Sequence, residues 1–441
     1  MDRAGTSPKA TSPRSASATT VAADAAAVAA APAGRPASPA VHEAAASHTG
    51  AVALLLNVAH AIDHLMLLVF ATAVGAIAVD FGVSRWEDLM PFATGAFVMF
   101  GLGSLPAGRF GDHWGRRAMM LVFFFGIGVS SILVALTRTP WQLAAALALV
   151  GAFAAIYHPV GIPMLVQGAD RPGRVIGVNG LAGNLGIAAA ALLTGFLVKY
   201  FGWRSAFVVP GLVSIACGVL FMRVAPREHA PPSKRAPRQV DLPPAVLARV
   251  FVILTLTSTF GSLVFNFTTN GNGELLRERL AAITGDPATL GMLLAAVYAI
   301  ASFAQVVVGR LIDHAPLKYL FLGIVATQIP LFALAARAEG WALYALAVAF
   351  MVFVFGAIPF TDAIIVRYVD DRMRSRVAGM RLAIAFGISA LAVWMLGPVV
   401  KARGFDFLLA LLAVIALCST VAIFALPGRS PGEVRRGERA V

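Results

Sequence analysis

Long apolar stretches alternate along the chain with short polar segments that hold most of the charges and turn residues. Stretches such as 118–136, 141–157 and 408–425 run for roughly 17–20 residues without a full charge, the length at which a helix crosses a bilayer. The polar segments divide the chain into twelve spans, near 50–79, 89–108, 118–136, 141–166, 175–198, 205–222, 248–268, 290–308, 319–336, 341–364, 377–399 and 407–426. The pattern predicts an all-α integral membrane protein with twelve transmembrane helices.

Polar segments also sort the predicted spans into two groups of six. A stretch rich in Pro and basic residues predicts a linker at 223–247, between bundles at 49–222 and 248–426. Residues 1–48 consist mostly of Ala, Ser, Thr and Pro and cannot bury enough apolar surface to fold, so we expect a disordered tail. No apolar segment precedes a cleavage site there, so a secretory signal is not expected. A second tail is expected at 427–441.

The two groups repeat each other. Gly108–His113 recurs with small changes as Gly309–His314, and Arg174–Gly177 recurs as Arg376–Gly379, at nearly the same offset. Duplicated six-helix halves place a binding site between the halves, near the middle of the membrane.

Composition supports the membrane assignment. Hydrophobic residues make up 59% of the chain and charged residues 13%, too few charges for the surface of a soluble protein. The net charge of +13 lies in short loops without a basic, aromatic-lined stripe, which argues against nucleic-acid binding. Cys217 and Cys418 lie within apolar spans and predict neither a disulfide nor a metal site.

Basic residues also predict the orientation. Most of the 35 Lys and Arg residues lie in the two tails and the even-numbered loops, and far fewer lie in the odd-numbered loops. The positive-inside rule therefore places both termini in the cytoplasm, with the protein in the plasma (inner) membrane.

The loop after the second span contains five residues at fixed spacing: Gly108, Asp112, Gly115, Arg116 and Arg117. This sequence resembles the signature loop of the major facilitator superfamily, Gly-x-x-x-Asp-x-x-Gly-Arg-Arg/Lys. The resemblance implies two rocking six-helix bundles and a loop that closes the cytoplasmic side.

The same resemblance implies that Asp112 faces the start of the eleventh span, near Arg374 and Arg376. The copy of the loop in the second half has Pro316 and Lys318 where Gly and Arg are expected. We therefore do not expect the second copy to act as a gate.

The first span contains a polar cluster of Asn57, His60, Asp63 and His64. Offsets of three and four residues place them on one face of a helix. Ionisable groups inside a membrane are costly unless they face a wet cavity or a partner. The fourth span adds His158 at a similar depth, next to Tyr157.

Short motifs extend the resemblance from the superfamily to one of its subfamilies. His60-Ala-Ile-Asp63-His64, Tyr157-His158-Pro159 and Gly183-Asn184 resemble the fosmidomycin-resistance subfamily of drug exporters. In that subfamily the first helix reads His-x-x-Asn-Asp, whereas here the aspartate stands one place earlier and a histidine occupies the acidic position.

Four interpretations of the cluster remain open. Asp63 with His60 or His158 could bind a proton near neutral pH, and the histidines with Asp63 also suit a transition metal. The side chains could instead contact substrate, or form a buried structural network. His60-x-x-Asp63-His64 is similar to a metallopeptidase pattern but lacks its glutamate, so an enzyme is not expected.

Further candidates for substrate contact lie on other spans: Tyr157, Asn179, Asn184, Arg381 and Asp362. Arg381 aligns with Asn179 in the repeat. Its side chain could pair with Asp362, attract an anionic substrate, or extend to the membrane surface.

Together these observations predict a proton-coupled antiporter that exports a small organic compound, such as an antibiotic-like molecule, a metabolite or a siderophore. Its partners would be protons, the substrate and lipid, with no resident cofactor or metal, and we expect a monomer. The alternative is proton-driven uptake of a small organic anion or metal chelate.

Overall fold

The computed structural model describes residues 39–167, 172–226, 244–368 and 371–426, which are helical with no β-strand among them. The predicted tail up to residue 38, most of the predicted linker (227–243) and the tail from 427 onward lie outside the described residues.

The described residues form twelve α-helices. These helices are α1 (Pro39–Asp80), α2 (Thr94–Trp114), α3 (Arg116–Ala135), α4 (Pro140–Ala154), α5 (Ile162–Val166), α6 (Pro172–Phe201), α7 (Ser205–Val224), α8 (Pro244–Arg279), α9 (Pro287–His314), α10 (Leu317–Ala335), α11 (Gly340–Tyr368) and α12 (Asp371–Phe424). Two short 3₁₀ helices, Trp86–Asp88 and Met90–Ala93, precede α2, and a π-helical turn, Tyr157–Gly161, lies between α4 and α5.

Eleven segments of the described residues are long and apolar enough to cross a membrane. The last of them, Gly387–Phe424, is far longer than a bilayer requires. It contains Gly404 at φ 75°, a backbone conformation that only glycine adopts readily. The chain turns there, and the two parts of α12 correspond to the eleventh and twelfth predicted spans.

The seventh span was predicted too short. Its end was placed near residue 268, but α8 continues to Arg279. The residues after 268 read Thr-Asn-Gly-Asn-Gly-Glu, a composition typical of a turn. They stay helical because they are packed on two sides. Gly271 faces Leu396, and Gly273 faces the backbone of α1 at Ala71.

Helices α6 and α9 bring the two halves into close contact. A Cβ atom on Gly195 would lie 2.5 Å from the carbonyl oxygen of Pro287, and one on Gly291 would lie 2.7 Å from that of Ala191. Only glycine permits this approach, as small residues do where membrane helices pack tightly.

Ion pairs join the halves at the same end of the bundle. Lys199 Nζ lies 2.7 Å from Asp286 Oδ1, and Lys401 Nζ lies 2.5 Å from Asp88 Oδ1. Lys199 and the donors of Thr289 lower the pKa of Asp286, which keeps its charge available for the pair. We call this the closed end. The Gly108–Arg117 loop lies at the other end of the helices, which we call the motif end.

Candidate functional site

The π-helical turn between α4 and α5 faces α1. Pro159 lies in this turn, has no N–H to donate and would crowd the carbonyl four residues earlier in a regular α-helix. The helix widens there, and π-helical turns of this kind are frequent at functional sites. The turn places His158 Nε2 3.6 Å from Asp63 Oδ2 on α1.

Three imidazole rings therefore meet near the middle of the Gly50–Asp80 span. The ring centres of His60 and His64 are 4.7 Å apart, those of His60 and His158 are 5.1 Å apart, and those of His64 and His158 are 5.9 Å apart. We call these rings and Asp63 the histidine cluster. The structure brings together all four of its sequence-predicted members.

His60 is held firmly within the cluster. Its Nδ1 lies 2.7 Å from the carbonyl oxygen of Asn179 on α6, and its ring stacks on Tyr157 with 4.7 Å between centres. Gly183 lies against the ring, and a Cβ there would be 2.6 Å from it. Because a carbonyl oxygen only accepts, Nδ1 carries the proton and Nε2 presents its lone pair.

An amide network supports the cluster from one side. Asn179 Nδ2 donates to Asn57 Oδ1 at 3.0 Å and to the Tyr157 hydroxyl oxygen at 2.6 Å. Tyr157, Asn179 and Asn184 are buried. In this state the first two position His60, whereas their predicted contact with substrate remains a prediction.

Asp63 is fully buried, and neither carboxylate oxygen has a hydrogen-bond partner among the described side chains and backbone. His60 Nε2 is likewise buried without a hydrogen bond. Most buried polar atoms in proteins are hydrogen-bonded, so buried polar atoms without a hydrogen bond suggest a functional role. The side chain of His158, in contrast, is 20% exposed.

The signature loop is built around Gly115, whose φ of 91° turns the chain between α2 and α3. Arg116 Nη1 donates to the Pro163 carbonyl at 3.2 Å, and Arg117 Nε donates to the Ala225 carbonyl at 2.9 Å. Arg117 thus binds the carbonyl that follows the last residue of α7, a helix end where cations are favourable.

The structure describes the signature loop but not the side chains expected to face it. Asp112 is exposed, and Gly108 packs near Pro159. The side chains of Arg374 and Arg376, the expected partners of Asp112, lie outside the described residues, as do those of Arg381 and Asp362.

The second copy of the signature loop also binds a helix end, a contact that the sequence did not indicate. Lys318 stands at the repeat position of Arg117, and its Nζ donates to the Phe424 carbonyl at 2.8 Å. A cation therefore binds the end of the last helix in each half, although the surrounding motif has changed.

A polar cluster also lies on α8, outside the set of candidate site residues. Asn266 Nδ2 donates to Ser389 Oγ at 2.8 Å, and the Thr269 carbonyl accepts from the Tyr298 hydroxyl at 3.1 Å. The side chain of Asn272 is buried as well. The run of Asn and Thr residues near the end of the seventh span is the sequence signal for this cluster.

Comparison with known proteins agrees with this architecture. The sequence profile of the Major Facilitator Superfamily matches residues 56–277, about half of the chain. The puromycin resistance protein pur8 of Streptomyces alboniger is 33% identical over 34% of this chain and 30% of its own length. The tetracenomycin C resistance and export protein of Streptomyces glaucescens is 28% identical over 53% of this chain and 40% of its own length. The chain thus spans less than half the length of these curated relatives.

A solved structure gives the same fold over a longer stretch. A bacterial homologue of the human lysosomal transporter Spinster, in an inward-facing and unoccupied conformation, aligns with 86% of this chain and 95% of its own, with a TM-score of 0.63 and 14% identity. The helices, the signature loop and the profile lead to one assignment. The chain is a multi-pass membrane protein that belongs to the Major Facilitator Superfamily.

Proposed function

We propose that the chain is a proton-coupled exporter of a small organic compound and that the histidine cluster carries the protons. The observation that supports this proposal most strongly is Asp63, a fully buried carboxyl group without a hydrogen bond from the described residues. A charged carboxylate in that position would cost several kcal/mol unless it were paired. A proton on the carboxyl group, or an imidazolium at His158, removes that cost.

His158 is suited to exchange the proton with water. It is the neighbour of Asp63 at 3.6 Å, and part of its side chain is exposed. His60, fixed by Asn179 and Tyr157, offers Nε2 as a second acceptor beside it. A proton that enters at His158 therefore has two buried groups to occupy, and its release requires only that the surroundings of His158 change.

Rocking of the two halves would supply that change. The cluster belongs to α1 and the π-helical turn, both in the first half. Opening the closed end would hydrate a different side of the cluster, and solvation would then favour the charged carboxylate. Substrate and protons would occupy the cavity in alternate states, as antiport requires.

Export, orientation and location belong to the same proposal. The names of the two antibiotic-resistance relatives favour export of an antibiotic-like or amphipathic compound. The distribution of Lys and Arg favours an orientation with both termini and the 223–247 linker in the cytoplasm, and we place the chain in the plasma membrane. The motif end would then be the cytoplasmic end, and the Asp112 loop its gate.

Inside-out vesicles test this proposal. Vesicles that contain the chain, energised to an acidic interior, are assayed with a panel of antibiotic-like compounds that begins with puromycin. We expect accumulation of at least one compound, and collapse of that accumulation when a protonophore is added. The proposal is wrong if every compound accumulates equally in vesicles without the chain, or if a protonophore leaves chain-dependent accumulation unchanged.

A further inference from the structure

We propose that His60, His64 and His158 form a binding site for one divalent d-block cation, of the class of Zn²⁺, Co²⁺ and Ni²⁺. Their ligating nitrogens lie within 4.8 Å of one another. Imidazole nitrogen is a preferred ligand of these ions, whereas Mg²⁺ and Ca²⁺ prefer oxygen ligands. The site does not depend on the direction of transport or on the substrate. It uses the same side chains that we propose to carry protons, so the ion and the protons bind in competition.

The tautomer of His60 is the one that a metal ligand needs. Its Nδ1 proton is donated to the Asn179 carbonyl at 2.7 Å, so Nε2 is the unprotonated atom. Nε2 is buried and has no hydrogen bond to the described residues. Histidines that bind metals usually donate their other ring nitrogen to a carbonyl or carboxylate in this way.

The three rings need only small movements to bind an ion. Metal–nitrogen bonds of about 2.0–2.1 Å place the ligating nitrogens about 3.3 Å apart in a tetrahedral site. The nitrogens therefore have to approach by roughly 1.5 Å, which rotations of the rings about their side-chain bonds can provide. His64 and His158 are half-buried, so part of each side chain is open to an incoming ion.

Asp63 supplies the negative charge that a buried dication requires. Its Oδ2 lies 3.6 Å from His158 Nε2, and both oxygens lack hydrogen bonds within the described structure. A carboxylate in this position can bind as the fourth ligand or balance the charge from beside the ion. A site of three imidazoles and one carboxylate is thus complete within the first half of the chain.

The test uses the purified full chain without a polyhistidine tag, stripped with a chelator and titrated with Co²⁺. We expect one Co²⁺ per chain, with the visible absorption of tetrahedral cobalt, and displacement by Zn²⁺. His64→Gln and His158→Gln should each weaken Co²⁺ binding by at least the roughly 10- to 100-fold that loss of a supporting residue costs at metal sites. His113→Gln, at an exposed histidine on α2, is the matched control.

Thermal unfolding of each variant checks that it remains folded. The site is disproved if the wild type binds no Co²⁺, or if folded His64→Gln and His158→Gln variants bind it as tightly as His113→Gln does. Binding to purified protein needs neither a gradient nor a substrate. Its failure therefore leaves proton coupling intact, and a failure of proton coupling leaves the metal site intact.

Discussion

The chemistry of the histidine cluster depends on how one imidazole is fixed. His60 donates Nδ1–H to the Asn179 carbonyl and stacks on Tyr157, which leaves Nε2 as the only reactive atom of the ring. Gly183 makes this position possible because it has no side chain at the point of contact. The position of His60 is therefore set by α6, although the residue belongs to α1.

The first prediction tests that positioning. In Gly183→Ala the new Cβ would lie 2.6 Å from the His60 ring, so the ring must move. We expect the transport rate to fall at least about tenfold, since displacements near 1 Å at a reacting group have effects of this order or larger. Gly177→Ala on the same helix is the control, because its Cβ would meet no atom within 4 Å. Equal rates in the two variants would show that the position of His60 is unimportant.

Residue spacing predicted part of the cluster. Asn57, His60, Asp63 and His64 share a helix face because they are three and four residues apart, which the sequence alone shows. The bonds from Asn179 to Asn57 and Tyr157 could not be predicted in the same way. They depend on the rotation and depth of α6 against α1, which tertiary packing determines.

At the scale of the helices, the π-helical turn at Tyr157–Gly161 positions His158, the member of the histidine cluster that comes from the fourth span. Without the turn, a regular helix through Pro159 would rotate His158 relative to Asp63. The sequence showed a proline after two aromatic residues, but a proline in a membrane helix can also produce a simple kink. The form of the irregularity follows from the packing of the fourth span against α1 and α2.

The second prediction concerns this turn. Pro159→Ala restores a backbone donor and removes the crowding that widens the helix, so an α-helical turn becomes favourable. We expect a folded protein at least as stable as the wild type, with transport reduced because His158 no longer faces Asp63. Transport assays and thermal unfolding measure the two effects. Pro330→Ala, at an exposed proline within α10, is the control and should leave transport unchanged. Wild-type transport by Pro159→Ala would contradict the role of the turn.

The third prediction concerns the two basic residues that bind helix ends. Arg117 and Lys318 each donate to a carbonyl at the end of the last helix of their half. Arg117→Ala and Lys318→Ala should each destabilise the protein by about 0.3–1 kcal/mol, the usual range for exposed cations at helix C-termini. Thermal unfolding in detergent measures the change. Arg403→Ala, at an exposed cation beside Phe407, should have a smaller effect. A loss of stability in Arg117→Ala alone would show that the duplicated role is incorrect.

The end of α8 shows how local composition can mislead the prediction of a helix boundary. Glycine and asparagine disfavour helix by about 1 kcal/mol or less per residue, and the seventh span was predicted to end near residue 268, before the run of these residues. In the folded chain the same glycines allow α8 to lie close to α1 and α12, and packing outweighs propensity. The other spans were predicted within several residues because long apolar runs leave little alternative.

At the scale of the whole molecule, described residues of the two halves meet closely at the closed end. The contacts include the Gly195–Gly291 crossing, two ion pairs and the stacking of Trp86 on Phe405. These contacts must separate if the transporter is to alternate between two open states. Ion pairs of partly exposed groups contribute little free energy each, about 0–1 kcal/mol, so the end can open without a large barrier.

The fourth prediction tests that opening. In a chain with Cys217 and Cys418 replaced by serine, a short bis-methanethiosulfonate cross-linker should join Asp88→Cys to Lys401→Cys across the closed end, because the two side chains form an ion pair there. Cross-linking should then stop transport, and a reductant, which cleaves the link, should restore it. Asp80→Cys with Arg204→Cys is the matched control, because that ion pair lies within the first half. Unimpaired transport by the cross-linked Asp88→Cys/Lys401→Cys protein would show that the closed end does not open.

Asp63→Asn gives the most direct test of proton coupling, because it removes the titratable group while keeping its shape. The variant is reconstituted in proteoliposomes and compared with Asp80→Asn, a control on the same helix, using a compound that the wild type transports. Accumulation driven by a pH gradient and counterflow exchange are measured side by side. We predict that Asp63→Asn loses gradient-driven accumulation and keeps exchange near the wild-type rate, because exchange needs no net proton movement. Accumulation by Asp63→Asn at the wild-type rate would contradict proton coupling through the histidine cluster.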